Sequence, residues 1–316
     1  YTAYGGFRAV VWTDVMQGLV MGVGVLILAP VVIGQVGGLD NVIARLSSQP
    51  PQAVTSLPGA HNDLAFLLPE SDSEPGWSAV AYDSRLGNRI GFREDSLKGD
   101  GKLLVFILPE SSGGEVTTTA GELREWISQE SRLSDRLRVE LAYENSGRGR
   151  LLEMAPVHFV SGEEFIFGPG RRSDGLPFHP LGLAVSYFLM WAITAMGQPG
   201  MMVRLIAFRD SRTLKRAIVI VTFYFSIIYI PLVLVFTTAR VLLPYIPSQD
   251  ADKAMVLVAT RIVGSMGLGY AILAAVFVAA PFAAVMSTVD SFLLMISSSI
   301  VRDLYQRTIN PTVSEK

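Results

Sequence analysis

AAVMSTVDSFLL, residues 283–294, sets Ser287, Thr288, Asp290 and Ser291 at the end of the longest apolar run of the chain. The run from Ile262 to Val289 contains no charged residue and exceeds the roughly 20 apolar residues needed to cross a hydrocarbon core about 30 Å thick. Apolar on every side rather than along one stripe, it predicts a membrane span, not a helix of a soluble core. The polar oxygens inside it then need a reason. On a helix, Ala284, Ser287 and Thr288 stand at i, i+3 and i+4, so a small residue and two hydroxyls share one face. Uncharged hard oxygens suit a weak, releasable monovalent cation. The same hydroxyls can instead bond back to the carbonyl four residues earlier, as they often do in membrane helices, and spacing alone favours that plainer reading.

Three more stretches meet the length rule without a charge: Val15 to Gly34, Pro180 to Val203 and Ala217 to Ala239. The chain has 316 residues, half of them hydrophobic, few charges and a positive mean hydropathy, all consistent with a membrane protein. It has no cysteine, which excludes disulfides, thiolate metal sites and a cysteine nucleophile. It opens YTAYGGF without the features of a signal peptide, and is expected to be a piece of a longer protein. No run of Lys and Arg with interleaved aromatics supports nucleic-acid binding.

Orientation follows from the short connections. Arg204, Arg209, Arg212, Lys215 and Arg216 lie between the second and third spans, and basic residues accumulate on the cytoplasmic side. Alternation then puts the N-terminus inside, residues 39–179 outside, the segment around 241–261 outside, and the tail with Arg302 and Arg307 inside. Residues 39–179 contain 21 acidic and 14 basic side chains, against 7 and 12 elsewhere, so the two parts are fitted to different solvents. That stretch is too long to be a simple loop and predicts a small folded α/β domain. KLLVFIL (102–108), RVELAYE (138–144) and EFIF (164–167) read as strands, and TTTAGELREWISQES (117–131) as a helix with a threonine cap. AFLLPES (65–71) and VFILPES (105–111) recur 40 residues apart. His61, His158 and His179 form no metal motif, and neither a GxSxG elbow nor a P-loop is present, so an enzyme has little support.

An intramembrane carboxylate costs at least about 2.5 kcal/mol even on insertion scales, so Asp290, and Asp14 in AVVWTDVMQG, should face protein or a water-filled path, or lie at an interface. Pro199, Pro231 and Pro281 each remove a helix hydrogen bond in or near a span. Broken helices at midplane depth are a device of secondary carriers.

YGGFRAVVWTDVMQGLVM (4–21), MGQPGMMVRLIAFRDSRTLKRA (196–217) and AAVMSTVDSFLLMISSSIVRDLY (283–305) together resemble the central portion of the sodium/solute symporter family, which includes proline and pantothenate permeases and sodium/glucose cotransporters. The resemblance implies an all-α transmembrane, inverted-repeat, five-plus-five helix core, here partial, with residues 39–179 inserted as a small α/β extracytoplasmic domain that ordinary members lack. On this reading residues 1–38 are one core helix, and residues 180–316 contribute three more and a cytoplasmic tail. The family's pattern also implies that Na+, the coupling ion, is bound by the carbonyl of Ala284 and the hydroxyls of Ser287 and Thr288, reversing the preference drawn from spacing. Asp14 matches an acid associated with sodium release to the cytoplasm, and Trp191 and Pro199 match positions implicated in substrate recognition. Ala195 replaces a tyrosine of the proline carriers, against proline as the solute.

The expected activity is sodium-coupled symport of a small organic solute across the cell membrane by alternating access, with the bilayer and the remaining helices of the parent chain as partners. The alternative is a membrane sensor in which a symporter-like core is joined to signalling modules and the inserted domain binds a ligand.

Overall fold

The computed structural model describes residues 2–69, 76–87, 89–97, 101–162, 181–198, 202, 205–206 and 208–310. The chain forms two units, the first comprising Tyr1–Val32, Leu183–Val235 and Ala259–Lys316 and the second Ile33–Gly182 and Phe236–Val258.

Helices make up the first unit. α1 runs Thr2–Val36, starting well before the predicted Val15. Three apolar helical stretches are long enough to cross a membrane: Arg8–Val36, Ser211–Leu242, and Leu268–Ile309, whose last turns from Ser299 are π-wound. Many large apolar side chains point outward from them, including Trp12, Phe223 and Phe282, as surfaces solvated by lipid do. Of the segment predicted to span Pro180–Val203, Leu181–Gly197 is a described helix and Met202 is helical as well. At 1.5 Å per residue these 17 described residues account for about 25 Å of a hydrocarbon core about 30 Å thick. The break after Gly197 has a local cause, because Gln198 precedes Pro199 and the proline ring disfavours helical geometry in the residue before it. Pro231 and Pro281, by contrast, lie within continuous helices.

Glycines set the packing in this unit. A Cβ at Gly24 of α1 would meet the ring of Phe277 at 3.4 Å, and Phe277 is fully buried. One at Gly18 would come within 2.9 Å of the Tyr224 hydroxyl. Small residues let helices approach where no hydrophobic effect drives them together, and at Gly24 and Gly18 the bare backbone of α1 meets Phe277 and Tyr224.

The second unit is α/β. A short helix, α2 (Leu39–Ser47), buries Val42 and Leu46 against Val36, Val241 and Leu242. β1 (Gln52–Val54), β2 (Leu64–Leu67) and β6 (Arg138–Leu141) form an antiparallel sheet with β2 central. β3 (Trp77–Leu86), β4 (Gly91–Ser96), β5 (Lys102–Glu110) and β7 (Met154–His158) form a mixed sheet ordered β4-β5-β3-β7, in which β3 and β5 are parallel. α3 (Ala120–Gln129) begins with a capping box between Thr119 and Glu122 and buries Leu123 and Ile127.

The predicted strand at 102–108 is β5, the one at 138–144 is a strand only to Leu141, and 164–167 lies outside the described residues. Of the two recurring strings, the first begins on β2 and the second lies largely on β5, in different sheets. Their equivalent phenylalanines, Phe66 and Phe106, stack with ring centroids 5.6 Å apart in the middle of the core. The connection that follows the helix Ser211–Leu242 also belongs to this unit: Tyr143 N–H donates to Tyr245 O at 3.0 Å.

Candidate functional site

The hydroxyls of the helix Leu268–Ser298 do not all bond in the same way. Thr288 Oγ1 donates to Ala284 O at 3.3 Å, the back-bond of a membrane-helix threonine, and Ser291 Oγ does the same to Ser287 O at 2.9 Å. Ser287 reaches out of its own helix. Its Oγ donates to Asp14 Oδ1 at 2.6 Å, joining this helix to α1 across 273 residues of sequence.

A hydroxyl donating to a carboxylate is a short, charge-assisted bond, about twice as strong as a neutral one. It spends the serine proton and leaves the oxygen's lone pairs available as an acceptor. Two oxygen pairs result: Ser287 Oγ with the Asp14 carboxylate, and Thr288 Oγ1 with the Ala284 carbonyl. All are hard donors of the kind alkali and alkaline-earth cations prefer.

On α1, Thr13 Oγ1 donates to Val10 O at 2.8 Å, so its hydroxyl is used within the helix and Asp14 is the residue that faces across. One turn on, Gln17 Oε1 is buried and has no hydrogen-bond partner among the described residues. Asp290, one turn past Ser287, is buried at 5 % exposure, as an acid in a lipid-embedded helix must be if it faces protein.

Asp14 and Ser287 are thus brought into direct contact, and Ala284 and Thr288 into contact with each other. Trp191, on the helix Leu181–Gly197, is 68 % exposed, with no polar or ring partner among the described residues. Pro199 lies outside the described residues. Sequence reasoning assigned Asp14 to a release path rather than to the ion site, and did not single out Gln17. The signal that could have found Gln17 was an amide at i+3 from a carboxylate in an otherwise apolar span.

The family model described as "Sodium:solute symporter family" matches residues 1–73 and 176–316, and the intervening 74–175 falls within the second unit. The "Sodium/pantothenate symporter" of Haemophilus influenzae (strain ATCC 51907 / DSM 11121 / KW20 / Rd) is 32% identical over 136 residues, 41% of this chain and 26% of that protein. The "Sodium/pantothenate symporter" of Escherichia coli (strain K12) is 51% identical over 55 residues, 17% of this chain and 11% of that protein. The matched stretches therefore span about a quarter or less of these relatives' length. No solved structure matches the chain significantly.

Proposed function

We propose, from the premise that this chain belongs to the sodium:solute symporter family, that it is the central part of a carrier that moves a small organic solute inward with sodium by alternating access. Its long apolar helices form part of an inverted-repeat, five-plus-five helix core. Residues 39–179 are extracytoplasmic, a reading supported by the basic connection Arg204–Arg216 on the opposite side of the next span.

The observation that supports the ion site is the Ser287–Asp14 hydrogen bond at 2.6 Å. Sodium is ligated by Ala284 O, Ser287 Oγ and Thr288 Oγ1. While donating to Asp14, Ser287 is a stronger acceptor toward the cation, since a proton pulled toward a carboxylate leaves more electron density on its oxygen. Asp14 compensates the ion's charge through that bond without binding it tightly. On the inward-facing side the same carboxylate offers the departing ion its next oxygen, which gives it a part in release. The membrane potential adds about 2.3 kcal/mol per elementary charge per 100 mV to inward movement. Trp191 and Pro199 contact the solute. Since the relatives found are named as sodium/pantothenate symporters, pantothenate is the first solute to test.

The experiment is uptake of labelled pantothenate, with other small carboxylates in parallel, by proteoliposomes of the full-length parent. Uptake driven by an inward sodium gradient, abolished when choline replaces sodium and reduced at least about tenfold by Ser287→Ala with Thr288→Ala, is the expected result. Uptake indifferent to sodium refutes the coupling.

A further inference from the structure

Between Asp14 and Gln35 the sequence of α1 contains a single polar side chain, Gln17. The residue as a whole is half-buried, but its Oε1 is fully buried and accepts no hydrogen bond among the described residues. Buried side-chain oxygens in native proteins are nearly always paired, so one that is not marks a place where another group belongs. In a lipid-embedded helix no bulk water relieves the cost.

The position of Gln17 narrows what that group is. Asp14, Gln17, Met21 and Gly24 follow one another at intervals of three, four and three, and so share one face of α1. Both ends of that face meet the helix Leu268–Ser298. Ser287 Oγ donates to Asp14 Oδ1 at 2.6 Å, and a Cβ at Gly24 would stand 3.4 Å from the ring of Phe277. Ten residues forward on α1 thus correspond to ten residues back on its neighbour, so the two helices run antiparallel in one register. That register sets Gln17 opposite Ala284, one turn from the Asp14–Ser287 bond. The Ala284 carbonyl is the one on which Thr288 Oγ1 rests. An unpaired amide oxygen therefore lies at the level of the oxygens already assigned to sodium, on the facing helix.

We propose that Gln17 Oε1 is a further sodium ligand, the uncharged oxygen that α1 adds to Ala284 O, Ser287 Oγ and Thr288 Oγ1. The proposal rests on the sodium-coupled reading above and adds a residue to it. An amide carbonyl is a hard donor of the kind that cations of this class take, and it has no formal charge to hold the ion against release. Asp14, one turn away on the same face, then keeps its part as the charge that compensates the ion through Ser287.

Equilibrium binding of radioactive sodium to the purified full-length parent, with lithium as competitor, tests this in the unsubstituted protein, Gln17→Met and Gln17→Glu. Methionine keeps the length of the side chain and removes the oxygen, whereas glutamate keeps an oxygen at the same reach. Gln17→Met is expected to weaken sodium about tenfold, and lithium by a smaller factor, because a site with fewer ligands favours the smaller ion. Gln17→Glu is expected to stay within about threefold of the original. Melting curves that match the unsubstituted protein separate loss of a ligand from loss of fold. Sodium bound as tightly by Gln17→Met, an equal loss in both variants, or an equal loss for the two ions would overturn the assignment while leaving sodium at Ser287 intact. No sodium binding by the unsubstituted protein would overturn the reading beneath it, and the assignment with it.

Discussion

Tyr224 donates its hydroxyl to the backbone carbonyl of Gly18 at 2.9 Å, and that bond exists because residue 18 has no side chain. A methyl there would stand 2.9 Å from the same hydroxyl, closer than real Cβ contacts come. Gly18→Ala is expected to destabilise the purified protein in detergent by about 1–3 kcal/mol, through overpacking and loss of the bond. Tyr224→Phe alone should cost less, about 1 kcal/mol. Combined with Gly18→Ala it should recover part of the loss, because the clashing oxygen is gone. Thermal melting of the four proteins in a double-mutant cycle reads the coupling, and strict additivity would contradict this account of the helix contact.

The Phe66–Phe106 stack is the centre of the second unit's core, and both rings are fully buried. Phe66→Ala should cost about 3–5 kcal/mol and Phe66→Leu considerably less, measured as the loss of hydrogen-exchange protection in β2 and β5. Equal costs would mean that ring stacking and volume are not what holds the two sheets together.

Thr119 caps α3, accepting from Glu122 N–H at 3.3 Å while Glu122 Oε2 accepts from Thr119 N–H at 2.8 Å. Thr119→Ala should cost about 1 kcal/mol and Thr119→Ser almost nothing. Exchange rates of the first-turn amides of α3 are the measurement.

Much of the membrane part is legible in the sequence because its solvent is lipid. Uncharged apolar runs of 20 or more residues seldom occur in helices that face water, and three of the four proposed spans coincide with helices long enough to cross. The fourth is described as a helix over Leu181–Gly197, and the Gln198–Pro199 pair at the end of that stretch was in plain view. In the second unit β5 could be read from its unbroken apolar run, and α3 from its capping box. β3, WSAVAYDSRL, mixes polar and apolar residues without a clean period, because it pairs on both edges with irregular register and is buried on both faces from Ala79 to Tyr82. What no local pattern contains is contact across the chain. Tyr143 with Tyr245, Asp63 with Gln249, and Asp14 with Ser287 are set by the fold, and so the share of the connection 236–258 in the second unit is a result of the structure alone.

Asp63 also fixes a pH dependence. Its carboxyl is raised above the ordinary value by burial, so the folded protein holds this proton more tightly than the unfolded chain does. The stabilisation from that proton is fully present below the unfolded value, near 4, and is lost as pH rises through the higher folded value. Asp63→Asn keeps an acceptor for Leu57 N–H and removes the titration. The difference in melting temperature, Asn variant minus unsubstituted protein, is expected to grow from about pH 4 toward pH 7. A difference that shrinks over this range would reverse the assigned sign.

The central claim is that the Ser287 hydroxyl, bonded to Asp14, is a sodium ligand. Equilibrium binding of radioactive sodium to the purified full-length parent tests it most directly, comparing the unsubstituted protein with Ser287→Ala and Asp14→Asn. Ser287→Ala should weaken sodium about tenfold or more, and Asp14→Asn should weaken it by a smaller factor, since the amide still accepts the serine proton but brings no charge. Sodium affinity unchanged in a well-folded Ser287→Ala protein would contradict the account.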